Sequence, residues 1–151
     1  MADEDVLVTA AAVRRGVTRL GRRLHLERSE RSEPLLQLGL LAHLNRRGPL
    51  TPGELAAVER VQPQSLTRAL ASLTADGLIT RQVHPEDARR SLLAITDTGL
   101  ETLRADMRQR DGWLAGVLTT HLTSTERGLL QLAGELLDRL AEVDSPAGGE
   151  G

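Results

Sequence analysis

Two helix-start signals that lie close together constrain this chain more than any other feature. In LTPGELAAV (50–58), Thr51 stands three residues before Glu54 with a proline between them, the capping-box pattern of a helix N-terminus. A second proline, Pro63, fits the first turn of another helix, with Gln62 or the residue before it as the N-cap. The first helix must therefore be short, and the pattern predicts two helices joined by a tight turn.

The second of these helices is predicted to have one apolar face and one polar face. Gly77 follows it as the expected residue after a helix C-terminus. The apolar positions recur at helical spacing and are Leu66, Ala69, Leu70 and Leu73. The opposite side carries Gln64, Ser65, Thr67, Arg68 and Ser72. This is the layout of a helix-turn-helix, whose second helix can enter a major groove.

The segments LITRQV (78–83) and SLLAI (91–95) are predicted to form two short strands. HPEDARR lies between them as a hairpin tip, and a helix-turn-helix followed by a hairpin is the winged-helix plan. The tip places Asp87 close to Arg89 and Arg90. These charges have two interpretations: a solvated hairpin tip, or a loop that keeps its own shape while it contacts phosphate.

Helical patterns flank this central module on both sides. Residues 5–27 and 126–143 each repeat apolar positions at steps of three and four, and LLQLGLLAHL (35–44) reads as a buried helix. The stripes at the two ends include Val13, Val17, Leu20, Leu129, Leu132, Leu136 and Leu140. They predict a homodimer built from both termini, with an intrachain helical bundle as the alternative. A two-fold dimer would place two recognition helices roughly 34–36 Å apart and would require a near-palindromic DNA site.

The fold class expected from these patterns is mainly α, an α+β winged helix with terminal helices that form a dimerisation bundle. The expected divisions are an N-terminal dimerisation helix and linker (1–33), the winged helix-turn-helix (34–96), a long helix with a C-terminal helix (97–143) and a disordered tail (144–151).

Composition narrows the functional classes. The chain has one Trp, no Phe, no Tyr and no Cys, so the core must be aliphatic, and disulfides and thiolate metal sites are excluded. The formal net charge is −2, so DNA binding would have to depend on a local basic patch. No apolar run is long enough to span a membrane, and MADEDVLV lacks a signal-peptide pattern, which favours a cytoplasmic protein.

Neither an enzyme nor a metal protein is indicated. The sequence has no Gly-rich phosphate loop, no G-x-S-x-G and no H-E-x-x-H, and no cofactor is expected. The histidines are far apart and form no H-x-x-x-H pair: His25, His43, His84 and His121.

Arg110 interrupts the apolar rhythm of the helix after residue 96. A shifted helical phase would leave it exposed to solvent. The alternative is an anion-binding residue of an effector pocket, with Trp113 in the same helix.

The middle of the chain resembles the MarR family of bacterial transcription regulators. The resemblance is carried by LTPGELA (50–56), SLTRALASLTADGLI (65–79), PEDARRSLLAIT (85–96) and the following DTG, in the family's order and spacing. It implies a homodimer that binds double-stranded DNA, usually represses its own operon or adjacent genes, and in many members releases DNA when a small anionic or phenolic ligand binds.

The resemblance also implies residue roles. Arg89 would reach from the wing into the minor groove, Arg90 would contact phosphate, and Asp87 would brace the wing by pairing with a nearby arginine. The residues expected to face the major groove are Gln64, Ser65, Thr67 and Arg68. Two other functions stay open: a winged-helix module that binds proteins, and a regulator without a ligand response.

Overall fold

The computed structural model of the chain describes residues 3–28 and 33–143. The described part is mainly helical with one two-stranded antiparallel sheet, as the sequence predicts. In chain order the elements are α1 (Glu4–Leu26), α2 (Leu35–Arg47), α3 (Pro52–Glu59), α4 (Pro63–Ala75), β1 (Ile79–Val83), β2 (Ser91–Ile95), α5 (Asp97–His121) and α6 (Ser124–Ala141).

The chain divides into two compact units, Met1–Arg110 and Asp111–Gly151, and the boundary between them lies within α5. The first unit contains α1 to β2 and the beginning of α5; the second contains the rest of α5 and α6. The four-part division expected from the sequence stays a prediction. Its tail (144–151), and four residues of the polar break before α2 (29–32), lie outside the described residues.

The core of the first unit is aliphatic, as the near absence of aromatic residues requires. The largest fully buried side chains come from α2, α3, α4 and β2: Leu40, Leu41, Leu44, Leu55, Leu73 and Leu93. Burial of each such leucine contributes about 2 kcal/mol of transfer free energy. The core therefore holds the helix-turn-helix and the sheet together as one unit.

Capping residues set where the helices begin and end. Thr51 and Thr123 each accept a hydrogen bond from the backbone of the glutamate three residues later, and each glutamate accepts one from the threonine backbone in return. Gly48 and Gly77 follow α2 and α4 with positive φ angles of 81° and 70°. Pro34 precedes α2 instead of occupying its first turn, and its carbonyl accepts the Leu38 N–H at 3.0 Å.

Leu50 extends the sheet by one residue, which the sequence did not indicate. Its backbone N–H donates to the Leu93 carbonyl at 3.0 Å, and the Leu93 N–H donates back at 2.8 Å. The start of α3 is thereby fixed against β2, the second strand of the wing.

The start of α5 lies against the short connection between α4 and β1. The Thr96 hydroxyl donates to the Gly77 carbonyl at 2.6 Å and accepts the Gly99 N–H at 3.0 Å. A Cβ built on Gly99 would overlap the Leu78 carbonyl, so glycine is required for this approach. The segment that joins α4 to β1 thus meets the start of α5 at one junction.

Candidate nucleic-acid interface

α4 presents the polar face that the sequence predicts. Its four apolar positions are buried in the core of the first unit. The opposite face is exposed to solvent and carries Gln64, Ser65, Thr67 and Arg68. The Thr67 hydroxyl donates to the Pro63 carbonyl at 2.8 Å, so its oxygen remains available as an acceptor. Ser72 is half-buried and donates to Asp76 at 3.4 Å, which places it at the margin of the polar face.

A contact between Glu59 and His43 fixes the turn before α4 against α2. Glu59, the last residue of α3, lies 3.1 Å from His43 Nε2 in α2. A Cβ on Gly39 would come within 2.5 Å of the Glu59 carboxylate, so glycine makes room for this contact. Arg60 follows with a φ of 50° and an exposed side chain. Neither the pair nor the left-handed arginine was recognised from the sequence.

The wing is the hairpin of β1 and β2, paired from Ile79 with Ile95 to Val83 with Ser91. At its tip the Arg89 backbone N–H donates to Asp87 Oδ1 at 3.0 Å, and the Arg90 N–H donates to the Asp87 carbonyl at 3.0 Å. Among the described residues Asp87 has no ion pair with an arginine side chain, which differs from the expected brace. Its short carboxylate instead reaches a backbone amide two residues later, as in an Asx-turn.

The two wing arginines differ in their surroundings, although both are exposed. Arg90 is close enough to α3 to influence Glu54. The pKa of the Glu54 carboxyl is lowered first by the hydrogen bond from the Thr51 backbone and then by that from the Thr51 hydroxyl. Desolvation opposes this, and the charges of Arg90 and His84 lower the pKa by smaller amounts. The Arg89 side chain has no hydrogen bond or ion pair with another described residue.

The helix-turn-helix, the first strand of the wing and the wing tip lie within a segment that comparison with known proteins identifies. Residues 34–90 match the sequence profile described as the MarR family. The chain is 40% identical over 144 residues to an HTH-type transcriptional regulator from Mycobacterium bovis, with 95% of this chain and 98% of that protein covered. The chain belongs to the MarR family. A regulator from Mycobacterium leprae is 38% identical over 146 residues, with 97% and 100% covered.

Solved structures show the same fold. A transcriptional regulator protein from Pseudomonas aeruginosa has a TM-score of 0.75 and 35% identity, with 94% of this chain and 99% of that chain covered. The apo form of MarR from E. coli has a TM-score of 0.66 and 23% identity, with 91% and 98% covered. This MarR-family protein is therefore an HTH-type transcriptional regulator with a winged-helix fold, and it is not an enzyme.

A second group of charged residues in this MarR-family chain lies away from α4. Asp106 in α5 is buried, with Arg28 Nε 3.3 Å from Oδ1 and an Arg110 guanidinium nitrogen 2.7 Å from Oδ2. Arg28 also donates to the Glu33 carbonyl. The Arg110 Nε is buried without a hydrogen-bond partner. Arg110 thus interrupts the apolar rhythm because it reaches a buried carboxylate four residues earlier. The i, i+4 spacing of Asp106 and Arg110 was the sequence signal that could have indicated this pair.

The residues predicted for dimerisation are all exposed in the single chain. On α1 they are Val13, Val17 and Leu20, and on α6 they are Leu129, Leu132, Leu136 and Leu140. Trp113, the other candidate ligand residue, is half-buried. Within residues 3–28 and 33–143 no group of three or more potential metal-binding side chains is present, and no helix is long and apolar enough to cross a membrane.

Proposed function

We propose that this MarR-family protein is a homodimeric, sequence-specific DNA-binding repressor of its own or adjacent genes. It acts in the cytoplasm, associated with the nucleoid through DNA, and a small anionic or phenolic ligand releases it from a near-palindromic operator. The observation that carries the proposal is the exposed polar face of α4, which is held in place by buried leucines on the opposite side of the same helix.

In this proposal α4 enters the major groove and its polar residues read base edges. Arg68 suits guanine, whose O6 and N7 accept two hydrogen bonds from one guanidinium, and Gln64 suits adenine. Ser65 and Thr67 complete the contact face. Arg89, whose side chain has no partner among the described residues, inserts into the minor groove, and Arg90 contacts phosphate.

The exposed face of α4 also argues against the protein-docking alternative. Protein interfaces are enriched in aromatic residues, methionine and arginine, and serine is depleted there. The exposed residues in the first half of α4 are a proline, a glutamine, a serine, a threonine and an arginine, with no aromatic residue or methionine among them. This composition favours base edges and phosphates as the partner.

The dimer rests on the apolar residues that the single chain leaves exposed. Leu129, Leu132, Leu136 and Leu140 are each more than half exposed on α6. Contiguous apolar surface of this kind marks an interface in soluble proteins. Sedimentation velocity should give a dimer, and Leu132→Glu should give a folded monomer with weakened DNA binding. A monomeric wild-type protein would contradict this part of the proposal.

The ligand response rests on Arg110, whose buried Nε has no acceptor in the described chain. A carboxylate or phenolate would supply one, with Trp113 as a further candidate contact. Trp113 is the single tryptophan of the chain, so its fluorescence reports binding of benzoate or phenol directly. If neither compound changes this fluorescence or the affinity for DNA, the alternative of a ligand-independent regulator is favoured for these two ligand classes.

A mobility shift on the DNA upstream of the protein's own gene tests the central claim. The complex should resist an excess of random competitor DNA. Arg68→Ala should weaken specific binding by about 1–3 kcal/mol and relax specificity, whereas Arg89→Ala should weaken binding at the flanks of each half-site. A complex that disappears with competitor would contradict self-regulation, and equal small losses for both variants on random DNA would contradict the residue roles.

A further inference from the structure

Arg60 adopts a backbone conformation that its residue type disfavours. Its φ is 50°, in the left-handed region, where a Cβ costs roughly 1–2 kcal/mol. The other two described residues with left-handed φ angles are Gly48 and Gly77. Glycine or asparagine at position 60 would fit the same turn with less strain. An arginine at this position therefore costs folding free energy.

The Arg60 side chain also lacks a partner that would explain it structurally. It is exposed and makes no ion pair or hydrogen bond with another described residue. The neighbouring carboxylate does not neutralise it, because Glu59 turns towards α2 and pairs with His43 at 3.1 Å. The turn thus presents one positive charge whose adjacent negative charge is directed into the protein.

The position of Arg60, between the two helices of the helix-turn-helix, suits its charge to contact with DNA. It follows the last residue of α3 and precedes Pro63, the first residue of α4, by three positions. In helix-turn-helix proteins the first helix crosses the DNA backbone while the second enters the major groove. A cation at the end of the first helix therefore lies where the phosphates beside that groove pass.

We propose that Arg60 binds a phosphate of the DNA backbone and thereby fixes how α4 enters the major groove. The contact is made to the non-bridging phosphate oxygens and carries no sequence information of its own. It rests on the proposed DNA binding and adds a third basic contact point, in the turn, to those in α4 and the wing. Phosphate contacts of this kind position a recognition helix, and base contacts then specify the site.

The left-handed conformation allows charge and backbone strain to be separated by mutation. Arg60→Gly and Arg60→Asn remove the charge and relieve the strain, whereas Arg60→Lys keeps both. Arg139→Ala, in α6, removes one exposed positive charge outside the turn, recognition helix and wing and serves as the matched control. Thermal unfolding of each variant shows whether folding is preserved, and Arg60→Gly and Arg60→Asn should be no less stable than wild type.

Binding to a random-sequence 30-base-pair duplex, followed by fluorescence anisotropy in about 50–200 mM KCl, measures phosphate contacts without a known operator. Arg60→Gly and Arg60→Asn should bind about tenfold more weakly at the lower salt concentrations. The slope of log K against log salt is negative, and for these two variants its magnitude should be smaller by about 0.9 for each Arg60 that contacts DNA. Arg60→Lys and Arg139→Ala should keep the wild-type slope.

Each failure has a distinct signature. If wild type binds the duplex and Arg60→Gly binds with the same affinity and slope, Arg60 is a solvated cation and the inference is wrong. If Arg139→Ala loses as much as Arg60→Gly, the effect is one of net charge and the specific contact is also wrong. If wild-type protein binds neither this duplex nor its own upstream DNA, the proposed function itself is wrong.

Discussion

Arg28, two residues beyond α1, holds its guanidinium Nε 3.3 Å from Oδ1 of Asp106 in α5, although 78 residues separate them in sequence. Both side chains are buried, with exposed fractions of 9% and 5%. Arg110 lies 2.7 Å from the other oxygen of the same carboxylate. The Asp106 carboxylate thus joins the end of α1 to α5 and contacts two arginines, one through each oxygen.

Removal of this carboxylate should destabilise the fold strongly. Asp106→Ala is expected to reduce the free energy of unfolding by about 3 kcal/mol, because Arg28 is left buried without compensation. Asp106→Asn, which keeps the shape and one acceptor oxygen, should lose less. Urea denaturation followed by circular dichroism, at one fixed protein concentration, measures both values.

An exposed ion pair in the same helix, between Glu101 and Arg108, is the matched control for the effect of burial on stability. Their ion pair is shorter, at 2.6 Å, but both side chains are more than 60% exposed. Water and salt screen such a pair, so Glu101→Ala should cause no measurable loss of stability. Equal losses for Asp106→Ala and Glu101→Ala would show that burial does not decide the contribution of these pairs.

Two glycines of α5 should respond in opposite ways to the same added methyl group. A Cβ on Gly99 would overlap the Leu78 carbonyl, with the carbonyl carbon at 2.9 Å, whereas a Cβ on Gly112 would meet nothing within 4 Å. Gly99→Ala should therefore lower the midpoint of thermal unfolding, because backbone atoms must move apart. Gly112→Ala should raise stability by about 0.5–1 kcal/mol through helix propensity. A neutral Gly99→Ala would contradict the close approach of α5 to the Leu78 backbone, just before β1.

Features set by nearby residues were predictable from the sequence. The capping boxes at Thr51 and Thr123, the start of α4 at Pro63 and the glycine after α4 all depend on contacts within a few positions. The exposed face of α4 followed from helical periodicity, and the order of the elements followed from the motifs. These signals are local, and the structure confirms them.

Features that depend on contacts distant in sequence were not predictable in the same way. Nothing local in Leu50 indicates that it pairs with Leu93, and nothing in Arg28 indicates Asp106. The sequence gives no reason for a glycine at position 39; the reason is the Glu59 carboxylate, which occupies the space that a Cβ would need. In each case the two residues come into contact only in the completed fold, so the periodicity of a single sequence does not predict the contact.

The capping box of α3 should make stability depend on pH in the acid range. The pKa of Glu54 is lowered from 4.5 in the folded chain, mainly by hydrogen bonds from Thr51. Stability from this group is thus fully present above the unfolded pKa of about 4.5 and is lost as the pH falls through the lower folded value. Glu54→Gln should flatten this part of the profile, as measured by urea denaturation between about pH 3 and 7.

Glu135 in α6 is a suitable control for this profile, because it accepts no hydrogen bond from another described residue. Glu135→Gln should leave the acid dependence unchanged. An unaltered profile for Glu54→Gln would mean that the hydrogen bonds from Thr51 do not favour the ionised carboxylate.

Asp87 should support DNA binding even though its charge opposes it. Its Oδ1 accepts the Arg89 backbone N–H at 3.0 Å and so fixes the wing tip that carries Arg89 and Arg90. A hydrogen bond of this type contributes about 1 kcal/mol, so Asp87→Ala should weaken DNA binding by about fivefold. Asp87→Asn keeps an acceptor oxygen and loses the negative charge, and it should bind at least as tightly as wild type. If Asp87→Ala instead binds DNA more tightly, charge repulsion outweighs the backbone hydrogen bond, and the wing keeps its shape without this residue. Fluorescence anisotropy on the random-sequence duplex at one salt concentration compares the three proteins directly.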